Sequence, residues 1–397
     1  MRISTNQIVQ QGLTPILDQQ VDLVRTENQL ATGRRVLTPS DDPAAATRIL
    51  TLRESIATTE QYDANISIAG SRLELEEAAL TGIGDLLQRA RELSVQANNA
   101  TQSNETRAGA ATELTGILNS LLGLANTRDA NNEFIFGGYR SDIQPFTFNG
   151  SNYVYNGDQG TRQLQIGASR QVAIGDSGNA VFVDVAAGNG TFVTGQGGAN
   201  TGTGVIDSGT VTNSALYVAD TYTVTFTAAP AYEVRDSANN LVATGTHSDG
   251  AAIAFLGIQA AISGRPATGD TFTFTPSSGQ DLFTTLQNLI ATLQTPVNGA
   301  ASQAVFTQGV NDALTNLDNA IGHVVQTRAA IGSRLNALED QTEVNGAFRF
   351  QAQSNLTDVE DIDLAEVISR YNQQLVSLQA AQQAFVRLQQ LSLLNFL

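Results

Sequence analysis

The sequence predicts an α + β multidomain fold: a long antiparallel helical coiled coil or bundle formed by both termini, with an inserted β-rich domain. Three shifts of composition carry this expectation. Met1 to about Asn132 is dominated by Leu, Ala, Gln and Arg, with proline only at Pro15, Pro39 and Pro43. From about Phe134 to Gly279 the chain turns to Gly, Thr, Val, Phe and Tyr, and from Gln280 to Leu397 the helix-forming composition returns. The chain is 397 residues long, more than one ordinary core holds. The expected division is residues 1–37 with 355–397 as a terminal coiled-coil domain, 38–140 with 280–354 as a helical rod, and 141–279 as the β-rich domain.

The first arm places Val9, Leu13, Ile16, Gln20, Leu23, Glu27 and Leu30 at alternating steps of four and three, the spacing of a helix that packs on other helices. Gly33 suits a C-cap. In the link Thr38-Pro39-Ser40-Asp41-Asp42-Pro43, Ser40 or Asp41 is expected to cap the next helix. That helix runs on from Ala44, and Ile49, Leu52, Ile56, Ile66, Leu73, Leu80 and Leu87 keep one heptad frame, which predicts an extended rod. A third helix, about Glu105 to Ala125, turns back with Leu114, Ile117, Leu121 and Leu124 on one side.

In the middle, Tyr222, Val224 and Phe226 alternate with Thr, as do Phe272 and Phe274, which predicts strands. Asn149-Gly150 and Asn156-Gly157 signal hairpin turns. Asp236–Asn240 and Gly264–Gly269 are expected loops, Pro230 and Pro276 strand ends, and the tract Gly188–Gly209 a flexible linker. In the last arm, Ile321, Val324, Arg328, Ile331, Leu335 and Leu338 form one seam. After a polar break near Asn345, Leu364, Ile368, Tyr371, Leu375, Leu378, Gln382 and Phe385 follow a second one, on a helix reaching to about Asn395. The acidic run Asp358, Glu360, Asp361, Asp363 reads as carboxylates favourably placed at a helix N-terminus rather than as a metal site.

Composition excludes several function classes. There are 38 acidic residues against 21 basic ones, all arginine, and the pI is near 4.4, which disfavours nucleic-acid binding. The absence of cysteine excludes disulfides, thiolate metal sites and cysteine nucleophiles, and without lysine no P-loop can form. The most apolar internal stretch, Ala251 to Ile258, is too short to span a bilayer, and the start lacks the apolar core of a cleavable signal peptide. On composition alone the chain reads as soluble and cytoplasmic.

Little points to catalysis. Gly202-Thr203-Gly204 lacks the third glycine and following helix of a dinucleotide fingerprint, and no Gly-x-Ser-x-Gly elbow occurs. His323 reads as a polar-face residue of a helix. His247 beside Ser248 and Asp249 offers only a generic serine-triad composition. Asn149, Asn156, Asp158, Asp176, Asn179 and Asp207 offer oxygen ligands of the kind calcium takes, yet no EF-hand or β-roll pattern organises them. Turns favour Asn, Asp and Gly for backbone reasons. No metal, cofactor or catalytic residue is therefore expected.

The terminal heptads carry more information. The apolar seam of the first helix, interrupted by Gln20 and Glu27, is too sparse to offset the conformational entropy of ordering it. Pairing with the last helix helps but leaves apolar faces wet, so neighbouring subunits are expected to complete the pair. Periodicity alone equally allows a self-contained bundle in which both ends pack on the long rod.

Several motifs resemble the flagellin family of bacterial flagellar proteins. They are Leu30-Ala31-Thr32-Gly33-Arg34-Arg35-Val36 and Ser40-Asp41-Asp42-Pro43-Ala44-Ala45-Ala46 in the first arm, and Ala330-Ile331-Gly332-Ser333-Arg334-Leu335-Asn336-Ala337-Leu338-Glu339 in the last. Met1-Arg2-Ile3-Ser4-Thr5, Ile16-Leu17-Asp18-Gln19-Gln20, Phe134-Ile135-Phe136-Gly137-Gly138, Tyr155-Asn156-Gly157-Asp158-Gln159-Gly160 and the ending Leu391-Ser392-Leu393-Leu394-Asn395-Phe396-Leu397 are closer to its hook-associated branch at the hook–filament junction. The central part, about 177–276, is where that family varies.

The resemblance implies a structural, non-enzymatic role. Such proteins are exported unfolded by the flagellar type III apparatus without a cleaved signal, which replaces a purely cytoplasmic placement by an extracellular one on the flagellum. They form a junction ring of about eleven subunits between the first hook-associated protein and flagellin. The implied subunit interface is Val9, Leu13, Ile16, Leu23, Leu30, Leu364, Ile368, Tyr371, Leu375, Leu378, Phe385 and Leu388. Tyr371, Leu375, Leu378 and Phe385 are the implied site for an export chaperone before assembly. No membrane or nucleic-acid partner is implied, and the β-rich domain would face outward. The alternatives are a minor flagellin, or a secreted adhesin or hydrolase acting through the central domain.

Overall fold

The computed structural model describes residues 5–394. It comprises long helices at both ends of the chain and an antiparallel β-rich region between them. Two compact units form, Met1–Ala64 with Asp340–Leu397, and Asn65–Glu339.

The terminal unit contains α1 (Thr5–Thr32), the first part of α2 (Pro43–Ala97), the last part of α5 (Ala300–Glu360) and α6 (Leu364–Leu394). Gly33 ends α1 at φ +71°, a left-handed conformation that glycine adopts without penalty, and its N–H donates to the Gln29 carbonyl. The cap of α2 is neither Ser40 nor Asp41. Asp42 accepts from the Ala45 N–H at 2.9 Å, with Pro43 at the first helical position. The Asp41 carboxylate is already engaged by the Leu37 and Thr38 amides and by Arg25. No break occurs near Asn345: α5 runs through it. Asn345 donates to Asp63, which also pairs with Arg349, and Gln341 donates to Asn345, so the buried polar layer is satisfied without interrupting the helix.

The second unit is built on a continuous apolar core that includes Leu73, Leu80 and Leu87 of α2, Leu114, Ile117 and Leu121 of α3 (Asn104–Ala125), and Val324, Ile331 and Leu338 of α5. A helix not legible as a separate element, α4 (Leu282–Gln294), adds Leu286, Leu289 and Leu293, and Asp281 caps it through the Thr284 N–H.

Four small β elements open the β-rich region. β1 (Phe146–Phe148) and β2 (Tyr153–Tyr155) form a hairpin turned by Asn149-Gly150. β3 (Gln163–Gly167) pairs with β4 (Arg170–Ala173). Asn156-Gly157 makes no hairpin. It leads instead into a loop whose Asp158 accepts from the Tyr139 and Gly160 amides, while Tyr155 Oη donates to the carbonyls of Phe136 and Asp158. The Phe134–Gly138 and Tyr155–Gly160 motifs thus interlock.

A π-helical turn at Asn179–Val183 leads on to the larger sheets. The tract from Gly188 is not a linker: it holds β5 (Phe192–Gln196) and β6 (Val205–Ile206), anchored by the fully buried Phe192 and Ile206. After β7 (Thr210–Val211) come β8 (Tyr222–Ala228), β9 (Ala231–Arg235), β10 (Leu241–Thr246), β11 (Ala252–Phe255), β12 (Ile258–Ser263) and β13 (Thr271–Pro276). One antiparallel sheet has the order β10-β9-β8-β13-β5; the other is β11-β12-β6, with β7 also on β12. Tyr222, Val224, Phe226, Phe272 and Phe274 point into their shared core, as the alternation predicts.

Candidate functional site

The residues expected to form a subunit interface lie on α1 and α6, in the terminal unit. Helices α1 and α6 pack together antiparallel: Gly12 lies against the Phe385 ring, and Gln19 Nε2 donates to Ser377 Oγ at 3.4 Å. A Cβ on Gly12 would sit 3.0 Å from that ring, so glycine permits the close approach. The buried face of α1 is rotated from the expected seam. Gly12, Ile16, Gln19, Leu23, Thr26 and Leu30 are buried or half-buried, whereas Leu13, Gln20 and Glu27 are exposed. Small and polar residues on the seam allow the helices to approach, and the larger Leu13 is displaced to the flank.

Among the described residues both helices keep an exposed apolar face. Leu13, Leu17, Val21 and Val24 of α1 are 41–67 % exposed. Leu364, Ile368, Val376 and Val386 of α6 are 46–64 % exposed. Of the other expected interface residues, Ile16 and Leu378 are buried within the chain, and Leu23, Leu30, Tyr371, Leu375 and Phe385 are half-buried. The side chains of Val9 and Leu388 lie outside the described residues, as do Met1–Ser4 and Asn395–Leu397.

An arginine clamp joins the two turns at the base of this pair. Arg34 Nε and Arg53 Nη2 both reach Glu360 Oε1, at 2.7 and 2.6 Å. Arg35 donates to the Val359 carbonyl through Nε and Nη2, placing its charge at the negative end of α5. Arg34 and Asp361 form an antiparallel bridge, and the Ile362 N–H donates to the Gly33 carbonyl. Asp363 caps α6 through the Ala365 and Glu366 amides. The acidic run therefore divides its work: Glu360 serves the clamp and Asp363 the helix start. The Thr38 amide, with the Leu37 amide and Arg25, holds the Asp41 carboxyl below its ordinary range.

Several of the remaining motif residues and candidate ligands have structural partners. Arg334 makes a bidentate pair with Asp176, both bonds 2.9 Å. Leu335 packs against the helical core, and a Cβ on Gly332 would meet nothing within 4 Å. Asp207 accepts from the Gly209 and Ala261 amides, and Asn156 bonds Gln144 and Thr147. Asp249 accepts from the Gly264 N–H at 2.7 Å, and His247 Nε2 lies 3.4 Å from the Gly264 carbonyl, so each has a backbone partner rather than the other. His323 Nε2 sits 2.6 Å from the Ala180 carbonyl. Among the described residues no group of three or more His, Asp and Glu is placed to hold a metal ion, and no helix is long and apolar enough to cross a membrane.

Comparison with known proteins gives the same direction. Residues 3–141 match the bacterial flagellin N-terminal helical region, and residues 314–397 the C-terminal helical region. A flagellar hook-associated protein-3 from Legionella pneumophila is 33 % identical in sequence. It superposes with a TM-score of 0.76 over 78 % of this chain and 98 % of that one. The chain belongs to the flagellar hook-associated protein 3 family. FlgL of Xanthomonas campestris, at 31 % identity and a TM-score of 0.71, covers 75 % of this chain and 98 % of its own. Flagellar hook-associated protein 3 of Escherichia coli K12 is 28 % identical over 394 residues, 99 % of this chain and 98 % of that protein. Membership makes the chain a structural subunit of the bacterial flagellum and not an enzyme.

Proposed function

We propose that the chain is a junction subunit that connects the hook, through the first hook-associated protein, to the flagellin filament. Copies associate through residues 1–37 and 355–397, carried on the rod of residues 38–140 and 280–354, in a ring of about eleven subunits with closed rotational symmetry. The β-rich region faces outward. The observation that carries this reading is the exposed apolar face on both α1 and α6. A pair that is half wet in one copy gains burial when neighbours close on it. The full-length match to hook-associated proteins supports it over a filament role, since the match to flagellin of Listeria monocytogenes covers 33 % of the chain.

Before assembly the chain is in the cytoplasm and leaves it unfolded. Tyr371, Leu375, Leu378 and Phe385 of α6 then serve an export chaperone, and the same stripe later serves the ring. Deleting Leu364–Leu397 is expected to abolish co-elution with that chaperone and leave a soluble, folded centre. Leu375→Asp with Phe385→Asp is expected to permit export and block filament growth. Unchanged co-elution, or normal motility with wild-type filaments, refutes the reading.

A further inference from the structure

Glu76 is 1 % exposed on α2, inside the second unit. Its Oε1 accepts the Asp176 N–H at 3.0 Å, while its Oε2 is buried with no hydrogen-bond partner. Asp176 lies in the segment Gly175–Gly178, which leaves β4 and enters the π-helical turn. Three contacts fasten that stretch to the helices: the Glu76 bond on α2, the Arg334 pair on α5, and His323 against the Ala180 carbonyl.

The charges around Glu76 can be counted. Arg334 pairs with Asp176; Arg72 with Asp129 and Glu133; Arg162 with Glu133 and Ser141. Among the described ion pairs of this network three arginines thus face three carboxylates, and Glu76 takes part in none of them. Glu77, the next residue, is taken by Arg328. An ionised Glu76 would leave the cluster with one uncompensated buried charge, and its Oε2 would be an unsolvated, unpartnered carboxylate oxygen, which is far costlier than a neutral hydroxyl.

We infer that Glu76 is a proton-operated latch: protonated, it lets the Gly175–Gly178 segment lie closed on the helices, and ionised, it loosens that segment. Burial first, then repulsion from Asp176, pushes the Glu76 carboxyl up to about 8, against the pull of the Asp176 amide, Arg334 and Arg72. In an opened segment the group regains water and titrates near the ordinary 4.5. The folded value is the raised one, so closure is fully favoured below the ordinary value and is lost as pH rises towards the folded one. The opening equilibrium then grows by up to about tenfold per pH unit between roughly 5 and 8, and levels off above that.

Hydrogen exchange of the Asp176 amide, corrected for its intrinsic pH dependence, reads this directly. In the wild type its protection is expected to fall by up to about tenfold per pH unit across that window, while amides of Leu80 and Leu87 stay protected. In Glu76→Gln, which keeps the shape and the acceptor, the slope is expected to vanish. An equal slope in Glu76→Gln, or a flat wild type, overturns the latch. Should the variant fold poorly, the side-chain carboxyl carbon resonance of wild-type Glu76 decides instead. A midpoint above about 7 supports the latch, and one below about 6 overturns it.

Discussion

Replacing Arg334 by Met tests why this arginine stands in the terminal motif. It holds Asp176 through two parallel bonds of 2.9 Å, and the two side chains are 24 % and 18 % exposed. Removing one member of a fully buried pair costs about 3–5 kcal/mol, because the other charge is left without compensation. Here about a fifth of each side chain remains wet, so water recovers part of that loss and about 2–3 kcal/mol is expected. For a unit of this size that corresponds to a fall of about 5–10 °C in melting temperature. Circular dichroism melts of the wild type, Arg334→Met, Asp176→Asn and the double variant complete a cycle. A coupling of about 1–2 kcal/mol is expected, with Arg334→Lys keeping less than half because an ammonium cannot present two parallel donors. If Arg334→Met melts with the wild type, or if the two single effects simply add, the pair is ornamental and the reasoning fails.

Two other substitutions probe the same unit. Asp312, half-buried and accepting from Gln308 Nε2, is raised from 3.8 to about 6 by burial. Its stability contribution is therefore fully present below the lower value and lost as pH rises through the higher one. Asp312→Asn is expected to match the wild type at pH 4 and exceed it by about 1–2 kcal/mol at pH 7; equal urea midpoints at both pH values would count against it. At Gly178 the backbone is right-handed, so only space is at issue: a Cβ would meet the Tyr155 and Phe146 rings at 2.7 and 2.8 Å and the Phe136 carbonyl at 2.9 Å. Gly178→Ala should cost about 1–3 kcal/mol in a chemical denaturation series. Gly109→Ala, on α3 with nothing within 4 Å, should instead stabilise by about 0.5–1 kcal/mol.

Elements governed by local rules are legible in the sequence. The heptad frame from Ile66 to Leu87 and the Thr-alternating strands at Tyr222–Phe226 and Phe272–Phe274 predict elements that the structure contains. What fails depends on partners distant in the chain. Asn345 looks like a break because its partner Asp63 is on another helix. Asp176 looks like a calcium ligand because Arg334 lies 158 residues away. Glu76 gives no signal at all: inside a helix of ordinary composition, only the arrival of Asp176 and the count of nearby arginines make it unusual. On α1 Ile16, Leu23 and Leu30 keep the expected frame, while Gly12, Gln19 and Thr26 take the places expected for Leu13, Gln20 and Glu27. Leu13 and Gly12 are adjacent in sequence, and the packing of α6 selects the smaller one for the seam.

The two units differ in what holds them. In the second, large apolar side chains form continuous dry cores, with Leu73, Leu80, Phe136 and Phe226 fully buried. In the terminal unit the buried apolar cluster is Val36, Ala45 and Ile49, and the α1 seam includes Thr26 and Gln29. Its firmest contacts are polar: two arginines on Glu360, a third on the Val359 carbonyl. Such contacts fix direction well, but partly exposed ones add little net stability. The clamp thus sets where α1 and α6 leave their turns without closing their apolar faces. An element oriented in advance but incompletely buried can take a partner without first unfolding, and the burial it lacks is then gained at the interface. That division of labour supports the proposed assembly through α1 and α6.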